Sequence, residues 1–369
     1  VTDIPPAKHQ LEVSVFGPGI GECVVAHVGD GDWIVVDSCI ERMTGRPIAL
    51  EYLKSLQVNV ESQVKLVVAT HWHDDHIEGL AEILRAAKNA KFVNSAAYAF
   101  TDVMRVVALG NKTARQSSAT KEYDGIVEVL KERRQVGERR EAVGPIHALA
   151  NKKLLALTNG GRSVSAEVFA LSPSDGVFGL AQQELREALS AIQSRRRPVV
   201  QGPNQLSVVL WLKVGVLDVL LGGDLEHVSG TTEGWRAIIN SSERPEGRAG
   251  FFKVSHHGSP NADCPECWTE LLSEDPVAIL TPYAPSKLPR ASDIDRLCAR
   301  TPLVYLTSDP TRYRSPRREN AVEKTMKEVT ISRRALAGQM GHVRLRSDAT
   351  STTQEPLIDL RNGARRLCA

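Results

Sequence analysis

The stretch His71-Trp-His73-Asp-Asp75-His76 gathers three imidazoles and two carboxylates directly after the apolar run VKLVVAT (64–70). Neutral imidazole nitrogens and carboxylate oxygens are good ligands for zinc and neighbouring divalent cations. At a strand end His71 and His73 project to the same side, because side chains alternate with a period of two. The turn into the next helix can carry Asp75 and His76 around a second point, which suggests two adjacent metals. The plainer alternative is a polar loop with Asp75 as helix N-cap, and it leaves the histidines without a task.

Two later stretches offer supporting ligands. LLGGDLE (220–226) ends a hydrophobic strand in Asp224, and FFKVSHHGS (251–259) ends another in His256 and His257. A carboxylate can bridge two cations and partly neutralise them, and a further histidine can complete the shell of one. HxHxDH, then GD, then HHGS, each at a strand terminus, is more specific than any piece alone.

The elements that must position these residues read as α/β. Three strands open the chain, LEVSVFG (11–17), ECVVAHV (22–28) and WIVVDS (33–38). Their first joint, GPGIG, lacks a following Lys-Ser/Thr and leads into a strand, so it reads as a hairpin turn and not as a phosphate loop. A helix over 47–57, the strand 64–70, a helix over 77–89 and the strand 91–95 follow. Residues 97–162 read as an insertion or cap containing a helical run, DGIVEVLKERRQ. A strand (163–173), a helix (180–197), a hairpin (204–215 and 217–224) and strands at 250–259, 277–283 and 303–309 complete the pattern. The tail adds a helix, NAVEKTMKEV (320–329), and a strand, GHVRLR (341–346). Strands before helices in each half permit two sheets with helices outside.

Composition narrows the class without naming a partner. With 42% hydrophobic and 24% charged residues the chain is globular. A net charge of +2 lacks the basic excess of a dedicated nucleic-acid binder, although KERRQVGERR (131–140) and SRRRP (194–198) are local basic runs. No apolar stretch reaches the roughly 20 residues that span a bilayer, and the first residues lack a signal-peptide layout, so a cytosolic setting without membrane contact is expected. Six scattered cysteines in a chain of 369 residues read as reduced thiols. CPEC (264–267) has metal or redox spacing but no second pair, and reads as the opening of a helix. His27, inside an apolar strand, reads as a satisfied interior histidine.

VVDS (35–38), VVATHWHDDHIEGL (67–80), VFALSPSD (168–175), NQLSVVLWL (204–212), LLGGDLE (220–226) and KVSHHGSPN (253–261) together resemble the metallo-β-lactamase hydrolases. Within them, the chain resembles the soluble domain of ComEC-type DNA-uptake channels and their stand-alone relatives. The resemblance implies an αββα sandwich with metals at one edge: a hydrolase domain over 1–312 carrying the 97–162 insertion, and a C-terminal extension over 313–369. It further implies that His71 and His73 hold one metal, Asp75 and His76 the other, and that Asp224 bridges them. Asp37 would orient the ligand loop from behind. One of His256 and His257 should bind metal. Neighbours in an extended segment face opposite ways, so His257 is favoured, leaving His256 to contact a substrate oxyanion or protonate a leaving group.

Many of these hydrolases place a third histidine before the bridging aspartate. Here that interval contains only His147, in surroundings unlike the motif. Asn204 and Ser207 match an Asn-x-x-Ser-like feature of the uptake-channel subgroup and could lie near the under-liganded metal. In YAPSKLPRASDIDRL (283–297), where those relatives tend to carry a histidine, Lys287 and Arg290 could meet substrate phosphates.

The expected activity is hydrolysis of a phosphodiester, most plausibly in nucleic acid, by hydroxide generated on two divalent cations, zinc or manganese. Asp75 or Asp224 would accept a proton. Two alternatives stand beside it: hydrolysis of a small phosphoester or choline-type phosphodiester, and a metal-binding subunit or activator-dependent nuclease of a nucleic-acid processing or defence assembly. In that last case a protein partner would dock through 97–162 or 313–369.

Overall fold

The computed structural model describes residues 3–98, 118–135, 144–193, 203–228, 230–309, 325 and 340–368. The chain opens on an antiparallel meander, β1 (Gln10–Phe16), β2 (Cys23–Val28) and β3 (Trp33–Val36). The ribbon β4 (Ile40–Glu41) and β5 (Arg46–Pro47) leads into α1 (Ile48–Ser55) and the short α2 (Val60–Gln63). Next come β6 (Val64–Ala69), α3 (Asp74–Ile77), α4 (Leu80–Ala86) and β7 (Lys91–Ser95). The single helix expected over 77–89 is divided at Gly79, whose φ of 86° breaks the helical path. A Cβ there would lie 2.6 Å from Ile40 Cδ1, so only glycine lets the two pieces turn against the ribbon.

Beyond them lie α5 (Ser118–Gln135), β8 (Ile146–Ala148), β9 (Lys152–Leu157), β10 (Ala166–Ala170) and α6 (Asp175–Gln193). The hairpin β11 (Leu210–Val214) and β12 (Leu217–Leu221) precedes α7 (Gly234–Asn240), β13 (Ala249–Lys253), α8 (Pro265–Glu270) and β14 (Leu272–Leu280). The last elements are α9 (Ala291–Cys298), β15 (Val304–Leu306), β16 (His342–Asp348), β17 (Leu357–Arg361) and β18 (Arg365–Arg366). The helix expected at 320–329 falls outside the described residues, apart from Thr325, and so does the basic run 194–198.

Two eight-stranded mixed sheets result, ordered β17-β16-β1-β2-β3-β6-β7-β8 and β18-β15-β14-β13-β12-β11-β10-β9. The C-terminal part of the segment read as an insertion therefore belongs to the sheets, β8 to the first and β9 to the second. The C-terminal segment supplies β16 and β17 to the first and β18 to the second. One apolar cluster, including Val24, Leu66, Leu210 and Ile279, fills the space between the sheets. A second packs α1 and α4 on the outer face of the first sheet, and a third packs α7 and α8 on that of the second. This is an αββα sandwich. Its inner parallel strands are covered on both faces, which is why VKLVVA and LDVLL read as apolar runs.

The expectation of reduced thiols is corrected. Cys264 pairs with Cys267, and Cys298 at the end of α9 pairs with Cys368 beyond β18, while Cys23 and Cys39 are free and buried. Pairing across 70 residues leaves no mark in sequence spacing; it follows from β18 docking beside β15. Disulfides persist mainly in oxidising compartments, so the cysteines no longer favour a cytosolic setting. No described helix is long and apolar enough to cross a membrane.

Candidate metal centre

The central strands of both sheets deliver their C-terminal ends to one edge of the sandwich. Asp37 follows β3, Thr70 and His71 follow β6, Asp224 follows β12, His256 and His257 follow β13, and Thr281 follows β14. Gly222 and Gly223 let the β12 end come close: a Cβ on Gly222 would sit 2.1 Å from Ser255 Oγ, and one on Gly223, at φ 51°, 2.5 Å from Ser207 Oγ. Ser207 fixes the turn by accepting the Asp224 main-chain N–H at 3.0 Å.

Two groups of ligand-type side chains form there. His71, His73 and Asp224 make one, and Asp75, His76 and His257 the other, each with its ligand atoms within 4.8 Å of one another. In the first, His71 Nε2 lies 3.0 Å from His73 Nδ1 and 3.8 Å from Asp224 Oδ2. In the second, Asp75 Oδ2 lies 3.7 Å from both His76 Nε2 and His257 Nε2. Asp224 Oδ2 also approaches His76 Nε2 at 3.4 Å and His257 Nε2 at 3.7 Å, so one oxygen faces both groups. Asp75 is inside α3 and does not cap it; the N-cap position falls on His73, which makes no capping bond.

Buried carboxylates stand behind the histidines. Asp37 accepts from Thr70 N–H and Thr70 Oγ1–H, each at 2.7 Å, and from His76 Nδ1 at 2.8 Å. Thr70 Oγ1 in turn lies 3.0 Å from His71 Nδ1. With its only proton on Asp37, the hydroxyl accepts from His71, which leaves both His71 and His76 with bare Nε2 atoms facing Asp224. A third group, Glu22, Asp37 and His76, also has ligand spacing. Its carboxylates are already engaged, Asp37 as above and Glu22 by Lys253 and Thr281.

The donor set fits divalent cations. His76 Nε2 and Asp224 Oδ1 are buried without hydrogen-bond partners. Burial pushes the His71 imidazole well below its ordinary pKa, so it is a neutral donor. Burial also opposes a charge on His76, yet the Asp224, Asp75 and Asp37 carboxylates raise it far above its ordinary value. Asp75 and Asp224 are held well below the usual carboxylate range against the effect of burial, chiefly by His76. The negative charge that Asp224 and Asp75 bring to His76 Nε2, at 3.4 and 3.7 Å, suits a cation there.

His256 and His257 depart from the extended geometry expected of them: both have positive φ, 47° and 55°. The turn sends His257 into the second ligand group and His256 to a separate place. Asn204 Nδ2 donates to His256 Nε2 at 3.2 Å and to Glu226 Oε1 at 3.0 Å, and Glu226 Oε1 is 3.5 Å from His256 Nδ1. Asn261 donates to the same Glu226 oxygen. His147 belongs to neither group; its Nδ1 meets Asn94 Oδ1 at 3.0 Å on the β7–β8 pair. Lys287 is exposed at φ 57°, and Arg290 precedes α9, where its N–H donates to Asp293. Their loop touches the centre through Tyr283, stacked on His257 at 5.1 Å between ring centroids. His27 bonds the Gln10 carbonyl and the Gly31 N–H, a satisfied interior histidine. Glu22, Lys253, Thr281, Tyr283 and Glu226 escaped the sequence reading.

A family model, the metallo-beta-lactamase superfamily, matches residues 16–263, a span that contains every ligand candidate above. The chain belongs to the metallo-beta-lactamase superfamily. Its activity class is accordingly metal-dependent hydrolysis, and divalent metals are the cofactors of that class.

Among solved structures, the metallo-beta-lactamase fold protein YhfI from Bacillus subtilis is 11% identical over 66% of this chain and 70% of its own, with a TM-score of 0.32. A HARLDQ-motif mutant metallo-beta-lactamase from Cronobacter sakazakii is 12% identical over 57% and 60%, TM-score 0.31. The CmlA beta-hydroxylase E377D mutant is 12% identical over 68% and 36%, TM-score 0.33. No curated protein sequence matches the chain.

Proposed function

We propose that the chain is a phosphodiesterase acting on nucleic acid, with two divalent cations, zinc or manganese, held by His71, His73, Asp75, His76, His257 and a bridging Asp224. The observation that carries the reading is Asp224 Oδ2, which belongs to the first ligand group and lies 3.4 Å from His76 Nε2 and 3.7 Å from His257 Nε2 of the second, beside a histidine, His256, held apart from both. Such a cation pair would supply Lewis acidity to a phosphoryl oxygen and lower the pKa of a water. Asp75, the more open of the two carboxylates, accepts the proton of the attacking water. His256, steadied by Asn204 and Glu226, meets the leaving oxygen.

Nucleic acid is the preferred substrate because the six matching stretches resemble ComEC-type uptake-channel domains, and because the exposed Lys287 and Arg290 of the loop that reaches the centre through Tyr283 offer cations for a phosphate chain. A protein partner, where turnover needs one, would dock through 97–162 or 313–369. Purified protein with Mn²⁺ or Zn²⁺ should cleave labelled single- or double-stranded DNA or RNA. Turnover of a small phosphodiester alone would reject nucleic acid as the substrate. Two bound metals without activity on either would shift the reading to a partner-activated role.

A further inference from the structure

The Asp37 network reaches His76 and, through Thr70, His71, but it makes no bond to His257. His257 has a support of its own. Its Nδ1 lies 2.9 Å from Thr281 Oγ1 and 3.2 Å from the Thr281 carbonyl. Thr281 Oγ1–H donates to Glu22 Oε2 at 2.5 Å, and Glu22 Oε1 meets Lys253 Nζ at 2.5 Å. Lys253 Nζ then donates to the Gly223 carbonyl at 3.1 Å, one residue before Asp224. All four side chains are buried. Glu22 precedes β2 in the first sheet, whereas Lys253, His257 and Thr281 belong to strand ends of the second.

We infer that Glu22, Thr281 and Lys253 are positioning residues for the Asp75–His76–His257 metal position, wired separately from the Asp37 network. The Thr281 hydroxyl has one proton, and Glu22 takes it, so the oxygen can only accept from His257 Nδ1–H. That fixes His257 as an Nε2 donor facing Asp75 and Asp224. Lys253 balances the Glu22 charge, which a buried carboxylate requires, and ties the relay to the turn that carries Asp224. Glu22 is thereby kept as an orienting group instead of a ligand in its own cluster with Asp37 and His76. The inference rests on the metal-centre reading and is independent of the substrate.

The test is metal retention by the full chain, with Co²⁺ or Zn²⁺ as the probe, dialysed against graded chelator and read by elemental analysis. Wild type should release two cations in two steps. Thr281→Val keeps the side-chain shape and the carbonyl acceptor but loses the hydroxyl; it should weaken one step by roughly tenfold, the lower end expected when an outer partner of a ligand is removed. The other step should stay within about twofold. Thr281→Ser should restore the weakened step, and Asp37→Asn should weaken both. Equal shifts of both steps in Thr281→Val, no shift at all, or failure of Thr281→Ser to restore binding would each overturn the relay. A wild-type chain that binds no cation would remove the centre itself, a different failure.

Discussion

Asp224 Oδ2 approaches His76 Nε2 to 3.4 Å although the two residues sit in different ligand groups. A single oxygen thus couples the halves of the centre. Asp224→Asn keeps the size of the side chain and removes the charge that two neighbouring cations share. Metal content should fall from two per chain to one or fewer, and hydrolytic turnover should drop by roughly a hundredfold or more, beyond the effect of losing an outer partner. Elemental analysis beside a turnover assay checks both; two retained cations with full activity would sink the bridging role.

His256 makes the opposite prediction. Its φ of 47° turns it out of the ligand groups and into contact with Asn204. His256→Ala should therefore keep the wild-type metal content while lowering kcat by about 10²–10⁴-fold, the range of a lost general acid or base. Loss of a cation in this variant would instead make His256 a ligand.

The positions of the ligand candidates were legible because each short motif ends an apolar strand, and parallel strands deliver their ends to one edge. The two-sheet architecture was legible in the order of strands before helices in each half and in the family resemblance. What supports the centre from behind was not. Thr281 and Glu22 are 259 residues apart, and neither lies in a stretch with recognisable spacing. Lys253 carries no sequence signal of its role, yet it is 2% exposed and paired with Glu22. The extended reading of His256 and His257 failed because strand alternation stops where the chain turns, and both residues occupy the left-handed region. The Cys298–Cys368 pairing is equally silent in sequence, since it depends on which strands the tail joins.

The Cys298–Cys368 bond closes a 70-residue loop that contains β15, β16 and β17, strands of both sheets. Chain-entropy arguments put the stabilisation from a loop of this length at up to about 4 kcal/mol. The Cys298→Ser/Cys368→Ser double variant should lose up to that amount in guanidinium unfolding. Adding reductant should bring wild type toward the variant and change the variant much less. Coincident unfolding curves for the two oxidised proteins would show that the bond contributes nothing.

His342 gives the fold a defined acid sensitivity. It is buried, stacks on Phe16 with centroids 4.1 Å apart, and its Nε2 has no hydrogen-bond partner. Burial, reinforced by Arg361 and Arg344, pushes its pKa well below 6.5. The folded chain therefore holds this imidazole neutral while the unfolded chain protonates it near pH 6.5. Above that pH the two states bind the same number of protons at this position, and its effect on stability is constant. As pH falls below 6.5 toward the depressed folded value, the unfolded state binds the extra proton, and stability declines by about 1.4 kcal/mol per pH unit. His342→Phe keeps an aromatic ring against Phe16 and removes the titrating group. Urea unfolding of both proteins from pH 8 to pH 5 should give a stability difference that is flat above 6.5 and moves in the variant's favour below it. Metal release and His27 titration are common to both chains and cancel in that difference, so a difference independent of pH would place the acid sensitivity elsewhere.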